Sequence, residues 1–146
     1  MDRRAKSAAL DRILELSILV NDDMTRSLPK DGLTPSRAHL LWELLHRGPS
    51  TQRVLAEALK VSARTITGLI DGLVATGFVT REPHPADRRA TLVTFTEHGQ
   101  AITEKMRREQ RMFADILFDG MPAERFTGLV DGMDDVLQRL RKAVKG

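Results

Sequence analysis

The chain has 146 residues, 41% hydrophobic and 29% charged, which suits one folded domain or a small domain with added dimerisation helices. With 23 basic and 20 acidic residues its net charge is +3, which permits binding to a polyanion without requiring it. The absence of cysteine excludes disulfides, thiolate metal ligands and cysteine redox sensing, and without a membrane-span or signal-peptide pattern we expect a cytoplasmic protein with no membrane partner.

The first third of the chain has the spacing of amphipathic helices. Between Ala8 and Leu28, apolar residues recur at intervals of three and four and occupy more than one side, which indicates a helix covered by more than one neighbour. We expect Pro29 and Gly32 to end this helix. Thr34 followed by Pro35 is typical of the start of a second helix, which should stop before the next Gly-Pro pair.

The middle of the chain has the proportions of a helix-turn-helix. A short helix is predicted over Thr51–Leu59, and Lys60 and Val61 turn the chain. Ser62 is a suitable N-cap for a second helix over Ala63–Thr76, whose apolar residues again follow helical spacing. Two helices joined by so tight a turn are typical of this motif.

The pattern then changes to that of a β-hairpin followed by long helices. Phe78–Arg81 is short and β-prone, and Thr91–Thr96 is rich in β-branched residues, with prolines bracketing a turn between them. Thr96 should cap a helix over Glu97–Phe118, and a last helix should run to Val144. A hairpin directly after a helix-turn-helix is a wing.

The second helix of the predicted helix-turn-helix begins with residues suited to DNA. Short, hydrogen-bonding or basic side chains are concentrated in its first two turns. These residues are Ser62, Ala63, Arg64, Thr65, Thr67 and Gly68. A recognition helix contacts base edges and phosphates mainly through its N-terminal residues. Taken alone, an ordinary solvated helix face explains the same pattern equally well.

Two glycines inside this helix require an explanation. Gly68 and Gly72 lie four residues apart, on one side, and each costs about 1 kcal/mol relative to alanine in a helix. Close approach of a backbone, from DNA or from a neighbouring helix, explains them, and so does local flexibility.

The predicted wing ends in a charged turn. Asp87, Arg88 and Arg89 stand between the two strands, where two arginines are poorly placed to stabilise a core. Arginines at such a tip can enter the narrow, negative minor groove beside a recognition helix, and Asp87 can hold a guanidinium in a bidentate pair. The alternative is a surface ion pair worth about 0–1 kcal/mol, which the preceding helix-turn-helix disfavours.

Signatures of enzymes and of bound cofactors are weak. No paired carboxylates, Ser–His–Asp pattern or Gly-rich phosphate loop stands out, so we predict no catalytic residue, no cofactor and no metal. His39 and Glu43 lie one helical turn apart, which is more often a surface contact than a metal site. Trp42 lies nearly on the side of His39, and the two are candidates for binding an aromatic carboxylate; packing of Trp42 in the core is the competing interpretation.

The sequence resembles the MarR family of bacterial winged-helix transcriptional regulators in three blocks, LTPSRAHLLWELL, LAEALKVSARTITGLIDGLVATGFVTR and PADRRATLVTFTEHGQAI. The resemblance covers Leu33 to about Ile102, and the flanking helices agree in length and pattern only. It implies a dimer with interlocked terminal helices, bound to a pseudo-palindromic site on double-stranded DNA. It also implies a cleft in which many members accept small aromatic anions. Arg88 and Arg89 then resemble the wing arginines that reach DNA, with Asp87 orienting one of them.

We therefore expect a mainly α fold with a small β-hairpin wing. A winged helix-turn-helix over residues 33–96 is flanked by dimerisation helices over 1–32 and 97–146, whose apolar stripes one small lobe could not cover. The expected function is that of a dimeric, sequence-specific DNA-binding transcriptional regulator, a repressor relieved by a ligand, and not an enzyme. The alternative is a winged-helix protein-interaction module without DNA binding. Gly68 keeps that alternative open, because the family often has a basic residue near this position; direct readout would then rest more on Arg64 and Thr65.

Overall fold

The computed structural model describes residues 1–145, most of which are helical. In chain order the elements are α1 (Arg3–Thr25), a 3-10 turn (Leu28–Asp31), α2 (Pro35–Arg47), β1 (Ser50–Thr51), α3 (Gln52–Leu59), α4 (Ala63–Ala75), β2 (Val79–Pro83), β3 (Thr91–Phe95), α5 (Glu97–Phe118) and α6 (Ala123–Lys145). Within residues 1–145, no helix has the length and apolar character needed to cross a bilayer. The mainly α fold with a small antiparallel wing is confirmed.

Side-chain caps begin three helices at the residues that the sequence indicated. The hydroxyls of Thr34, Ser62 and Thr96 accept a hydrogen bond from the backbone N–H three residues on, at 3.2, 3.1 and 3.0 Å. Each bond satisfies one of the first amides of a helix, which have no carbonyl partner within it. Thr51, predicted as the first helical residue of α3, is instead its N-cap.

The first helix begins earlier and ends earlier than predicted. It starts at Arg3 rather than at Ala8 and ends at Thr25. Pro29 does not end this helix; it lies at the start of the 3-10 turn, where its fixed φ is compatible with a helical conformation. Gly32 ends that turn with φ 76°, a left-handed conformation that glycine adopts readily.

The sheet has three strands in the order β1-β3-β2, all antiparallel, rather than the two of a simple hairpin. Ser50 of β1 pairs with Val93, and Val79 of β2 pairs with Phe95. The sequence prediction missed β1 because two residues are too short to show an alternating pattern.

The chain divides into two compact units, Met1–Arg107 and the residues from Arg108 onward. The core of the first unit gathers apolar side chains from the 3-10 turn, α2, α3, α4, β2 and β3. Its buried members are Leu28, Leu33, Ala38, Leu40, Leu41, Leu44, Leu55, Ala56, Ile66, Ile70, Leu73, Phe78, Val79 and Val93. Burial of each larger apolar side chain contributes about 1.5–3 kcal/mol to folding. This core holds the helix-turn-helix and the sheet together.

The first and last helices have no buried residue in the single chain. The apolar positions of α1 are exposed along its length, and so are those of α6 in the second unit. The exposed apolar residues of α6 are Phe126, Leu129, Met133, Val136, Leu137, Leu140 and Val144. Folding of one chain therefore leaves the apolar stripes of both helices in contact with water.

Three helix glycines have very different surroundings. A Cβ at Gly72 would meet the guanidinium of Arg37, which is the movable end of a flexible side chain on α2. A Cβ at Gly99 would collide with the backbone carbonyl oxygen of Phe78. At Gly68, in contrast, a Cβ would meet nothing within 4 Å.

Two alanine substitutions should therefore have opposite effects on stability. Gly68→Ala should raise the free energy of unfolding by about 0.5–1 kcal/mol, because alanine is the better helix former. Gly99→Ala should lower it by about 1–3 kcal/mol, because the backbone of Phe78 cannot move aside as a flexible side chain could. Urea denaturation of both variants measures the two changes. A stabilising Gly99→Ala would contradict the close approach of α5 to Phe78.

Candidate nucleic-acid interface

The residues at the start of α4 that the sequence proposed for DNA contact are all exposed, namely Ser62, Ala63, Arg64, Thr65, Thr67 and Gly68. The hydroxyl of Ser62 donates to that of Thr65 at 3.0 Å. Thr67 donates to the carbonyl oxygen of Ala63 at 2.8 Å. Arg64 forms no ion pair within the part of the chain that the structure describes, so its guanidinium is available to a partner. The arrangement leaves one long cation surrounded by short polar side chains.

One arginine of the wing is hydrogen-bonded to both α3 and α4. Arg81, on β2, donates from Nε to Oε1 of Gln52 at 3.0 Å and from Nη2 to Oδ1 of Asp71 at 2.6 Å. Gln52, on α3, in turn donates to the hydroxyl of Thr67 at 3.1 Å. The Arg81 guanidinium thus links the wing to both helices of the helix-turn-helix.

The sequence analysis did not identify this link. Arg81 and Asp71 are ten residues apart on different elements, and Gln52 lies 29 residues from Arg81. The only signal was an isolated arginine in a β-prone segment after a helix that contains one aspartate. That signal is too common to distinguish a bridging arginine from a solvated one.

The wing tip is ordered by hydrogen bonds to the backbone rather than by an ion pair. Oδ1 of Asp87 accepts from the backbone N–H of Arg89 at 3.0 Å. Nδ1 of His84 accepts from the backbone N–H of Ala86 at 3.0 Å and of Asp87 at 3.2 Å. Within residues 1–145 the Asp87 carboxylate pairs with no guanidinium and closes the turn instead, so its orienting of a wing arginine stays a prediction. Arg88 and Arg89 are left exposed, with no ion pair to any described residue.

The proposed ligand residues on α2 have separate partners. Nε2 of His39 lies 3.7 Å from Oε1 of Glu43, whose other oxygen accepts from Nε of Arg47 at 3.0 Å. The half-buried ring of Trp42 contacts the ring of His46, with centroids 4.5 Å apart, rather than that of His39. Across residues 1–145, no three His, Asp or Glu side chains are grouped so that they could hold a metal ion.

A sequence profile of the MarR family matches residues 31–90, which cover α2, the helix-turn-helix and most of the wing. Over these residues the chain is similar to the MarR family. The match ends before β3, whereas the resemblance read from the sequence extended to about Ile102.

Named relatives of the chain are transcriptional regulators, and its structural neighbours include MarR family proteins. The transcriptional repressor NicR of Pseudomonas putida is 38% identical over 74 residues, which are 51% of this chain and 47% of that protein. The chain spans about half to two thirds of the length of the curated relatives it matches.

The fold itself extends over nearly the whole chain. A MarR family protein from Bacillus stearothermophilus superposes with a TM-score of 0.83 at 18% identity, covering 97% of this chain and 99% of that one. FabT of Streptococcus pneumoniae, solved in complex with DNA, superposes with a TM-score of 0.80 at 19% identity, covering the same shares of the two chains. At such identities the likeness establishes the MarR fold.

The Arg81–Asp71 pair should contribute a measurable coupling energy to stability. Their side chains are 31% and 61% exposed, so water screens the pair and we expect a coupling of about 0.2–1 kcal/mol. A double-mutant cycle of Arg81→Gln and Asp71→Asn by urea denaturation measures it. Addition of Gln52→Ala should reduce the coupling, since Gln52 shares the guanidinium. Strictly additive single variants would contradict the bridge.

Proposed function

We propose that this chain regulates transcription by binding double-stranded DNA as a dimer, through α4 and the wing. The observation that carries the proposal is that three arginines on one winged helix are exposed and unpaired in the described chain. Arg64 at the start of α4, and Arg88 and Arg89 at the wing tip, are exposed and have no acidic partner in the described chain. Cations that a fold leaves unpaired are suited to phosphates and base edges.

In this proposal α4 and the wing contact different grooves of the DNA. The start of α4 enters the major groove, where Arg64 can contact guanine in bidentate fashion and Thr65 and Ser62 can contact bases or phosphates. Gly68 presents open space on the same helix, so the backbone of α4 can approach DNA closely there. The wing arginines lie against the adjacent minor groove, whose negative potential attracts them.

A second copy of the chain is the proposed cover for the apolar faces of α1 and α6. Exposed apolar residues on α1 include Leu10, Leu16, Ile18 and Leu19, at 54%, 55%, 62% and 58% exposure. Apolar stripes of this extent are unusual on monomers and mark association surfaces. Two copies related by a two-fold axis would carry two recognition helices, which suits a pseudo-palindromic site.

Repression relieved by a ligand is the proposed mode of regulation, by analogy with the relative named as a repressor. His39 and Trp42 are the proposed ligand residues, with the Glu43 carboxylate near His39 opposing an anion. A ligand releases DNA only if it binds the DNA-incompetent arrangement more tightly, with a typical coupling of about 1–3 kcal/mol. If titration with salicylate up to millimolar concentration changes neither Trp42 fluorescence nor DNA affinity, this site is wrong.

The primary experiment is to sequence the genomic fragments retained by the purified protein and to measure affinity for them at several salt concentrations. A linear fall of log affinity with log salt, corresponding to several phosphates, supports DNA binding. Retention of no fragment, with capture of a protein partner instead, supports the interaction module without DNA binding.

Removal of both wing arginines should weaken binding without changing the fold. Arg88→Ala with Arg89→Ala should lower affinity by about tenfold or more and flatten its salt dependence, because phosphate contacts are lost. Arg3→Ala with Arg4→Ala is the matched control, since it removes another adjacent, exposed arginine pair. Equal affinity and salt slope for the wing variant and the parent would contradict the role of the wing.

The dimer should be detectable in solution at micromolar concentration by light scattering. Leu16→Glu with Leu19→Glu, which places charges on the exposed apolar side of α1, should shift the chain toward a monomer. A parent chain that is monomeric, folded and able to bind DNA would count against the dimer.

A further inference from the structure

Lys60 has a left-handed backbone conformation, with a positive φ that only glycines adopt elsewhere in the described chain. Its φ of 57° and ψ of 46° are left-handed, and within residues 1–145 it is the only residue other than glycine with positive φ. The glycines with positive φ are Gly32, Gly48, Gly77 and Gly120. A left-handed conformation crowds Cβ against the following carbonyl, so glycine or asparagine is favoured at such positions.

The turn of the helix-turn-helix imposes this conformation on the residue. Lys60 is the C-cap of α3, and its N–H donates to the carbonyl oxygen of Glu57 at 3.2 Å. The N–H of Val61 donates to the carbonyl oxygen of Ala56 at 3.0 Å, and α4 begins two residues later. Any residue at this position must adopt the same backbone conformation, so lysine is strained here relative to glycine.

No contact within the described chain explains why the residue is lysine. The side chain is exposed and forms no hydrogen bond or ion pair with residues 1–145. The nearby Glu57 carboxylate lies 3.6 Å from Nε of Arg53, so a different cation already faces it. The Lys60 charge is therefore uncompensated.

The lysine borders the same groove as the start of α4. An open groove with a volume of about 360 Å³ lies between α3 and α4. Its lining residues are Gln52, Arg53, Ala56, Glu57, Lys60, Val61, Ala63, Ile66 and Thr67. Ala63 and Thr67 belong to the proposed DNA-reading surface, so the Lys60 stem starts at the edge of that surface.

We infer that Lys60 binds a phosphate of the DNA backbone beside α4, and that this contact is the reason for a strained lysine in the turn. This role rests on the proposed function. The ammonium group is a compact point charge on a flexible stem, which suits a phosphate better than a base edge. Such a contact positions α4 in the groove and contributes affinity without sequence preference.

Four variants of the full-length chain test this role with two measurements. Lys60→Gly and Lys60→Asn remove the positive charge and relieve the left-handed strain. Lys60→Arg keeps the positive charge and the strain. Lys142→Asn removes an exposed charge from α6, outside the winged helix. The two measurements are the melting temperature at fixed protein concentration and the affinity for a fluorescent mixed-sequence duplex of about 40 bp, long enough for two half-sites.

Stability and DNA affinity should change in opposite directions. Lys60→Gly should melt a few degrees above the parent, because glycine relieves the strain. Lys60→Gly and Lys60→Asn should lower the slope of log affinity against log salt by about one unit per subunit. For each lost phosphate contact, raising the salt from about 50 to 200 mM should weaken the binding of the variant about threefold less than that of the parent. Lys60→Arg and Lys142→Asn should keep the parental slope.

The possible outcomes separate this role from the proposed function. A parent chain that binds the duplex while Lys60→Gly and Lys60→Asn keep its full salt slope overturns the phosphate contact alone. An equal loss of slope in Lys142→Asn also overturns it, because the effect would then follow net charge rather than position. A Lys60→Gly variant that melts below the parent overturns the strain argument. A parent chain that retains no duplex overturns both the proposed function and this role.

Discussion

The burial of one side of α4 determines what the winged helix can present to a partner. Ile66, Ile70 and Leu73 are at most 1% exposed, and they pack into the core that α2, α3 and the sheet share. Because an α-helix repeats every 3.6 residues, burial of these positions turns Arg64 and Thr65 toward solvent. The surface proposed to read DNA is therefore a consequence of the core.

The wing depends on the same core and on one polar bridge outside it. Val79 and Val93 are buried on β2 and β3, which attaches the sheet to the helices beneath it. On the exposed side, Arg81 holds α3 and α4 through Gln52 and Asp71. A planar guanidinium can donate to two acceptors at once through nitrogens in fixed directions. A lysine ammonium on the same strand would not fix the directions of its hydrogen bonds in this way. In the proposed function, the bridge keeps the wing in register with the recognition helix.

The two surfaces proposed to meet partners coincide with uncovered apolar surface and with local strain. The apolar stripes of α1 and α6 have no cover within one chain, whereas the core of the first unit is fully enclosed. Lys60 is a second case, since its side chain has no partner in the described chain that would explain a lysine in a left-handed conformation. In both cases the folded chain retains a feature that is unfavourable for the isolated molecule.

The sequence by itself determined the order of the helices and the wing, the starts of α2, α4 and α5, and the resemblance to the MarR family. Caps such as Ser62 and Thr96 act over three residues, and the buried side of α4 follows from its own periodicity, so neither requires knowledge of distant contacts. Only the tertiary structure decided the rest. β1 exists because Val93 lies opposite Ser50, and Gly99 is required because the Phe78 carbonyl approaches it. These features depend on segments that are far apart in the chain or lie on different elements, and no local pattern specifies where such segments meet once the core has closed.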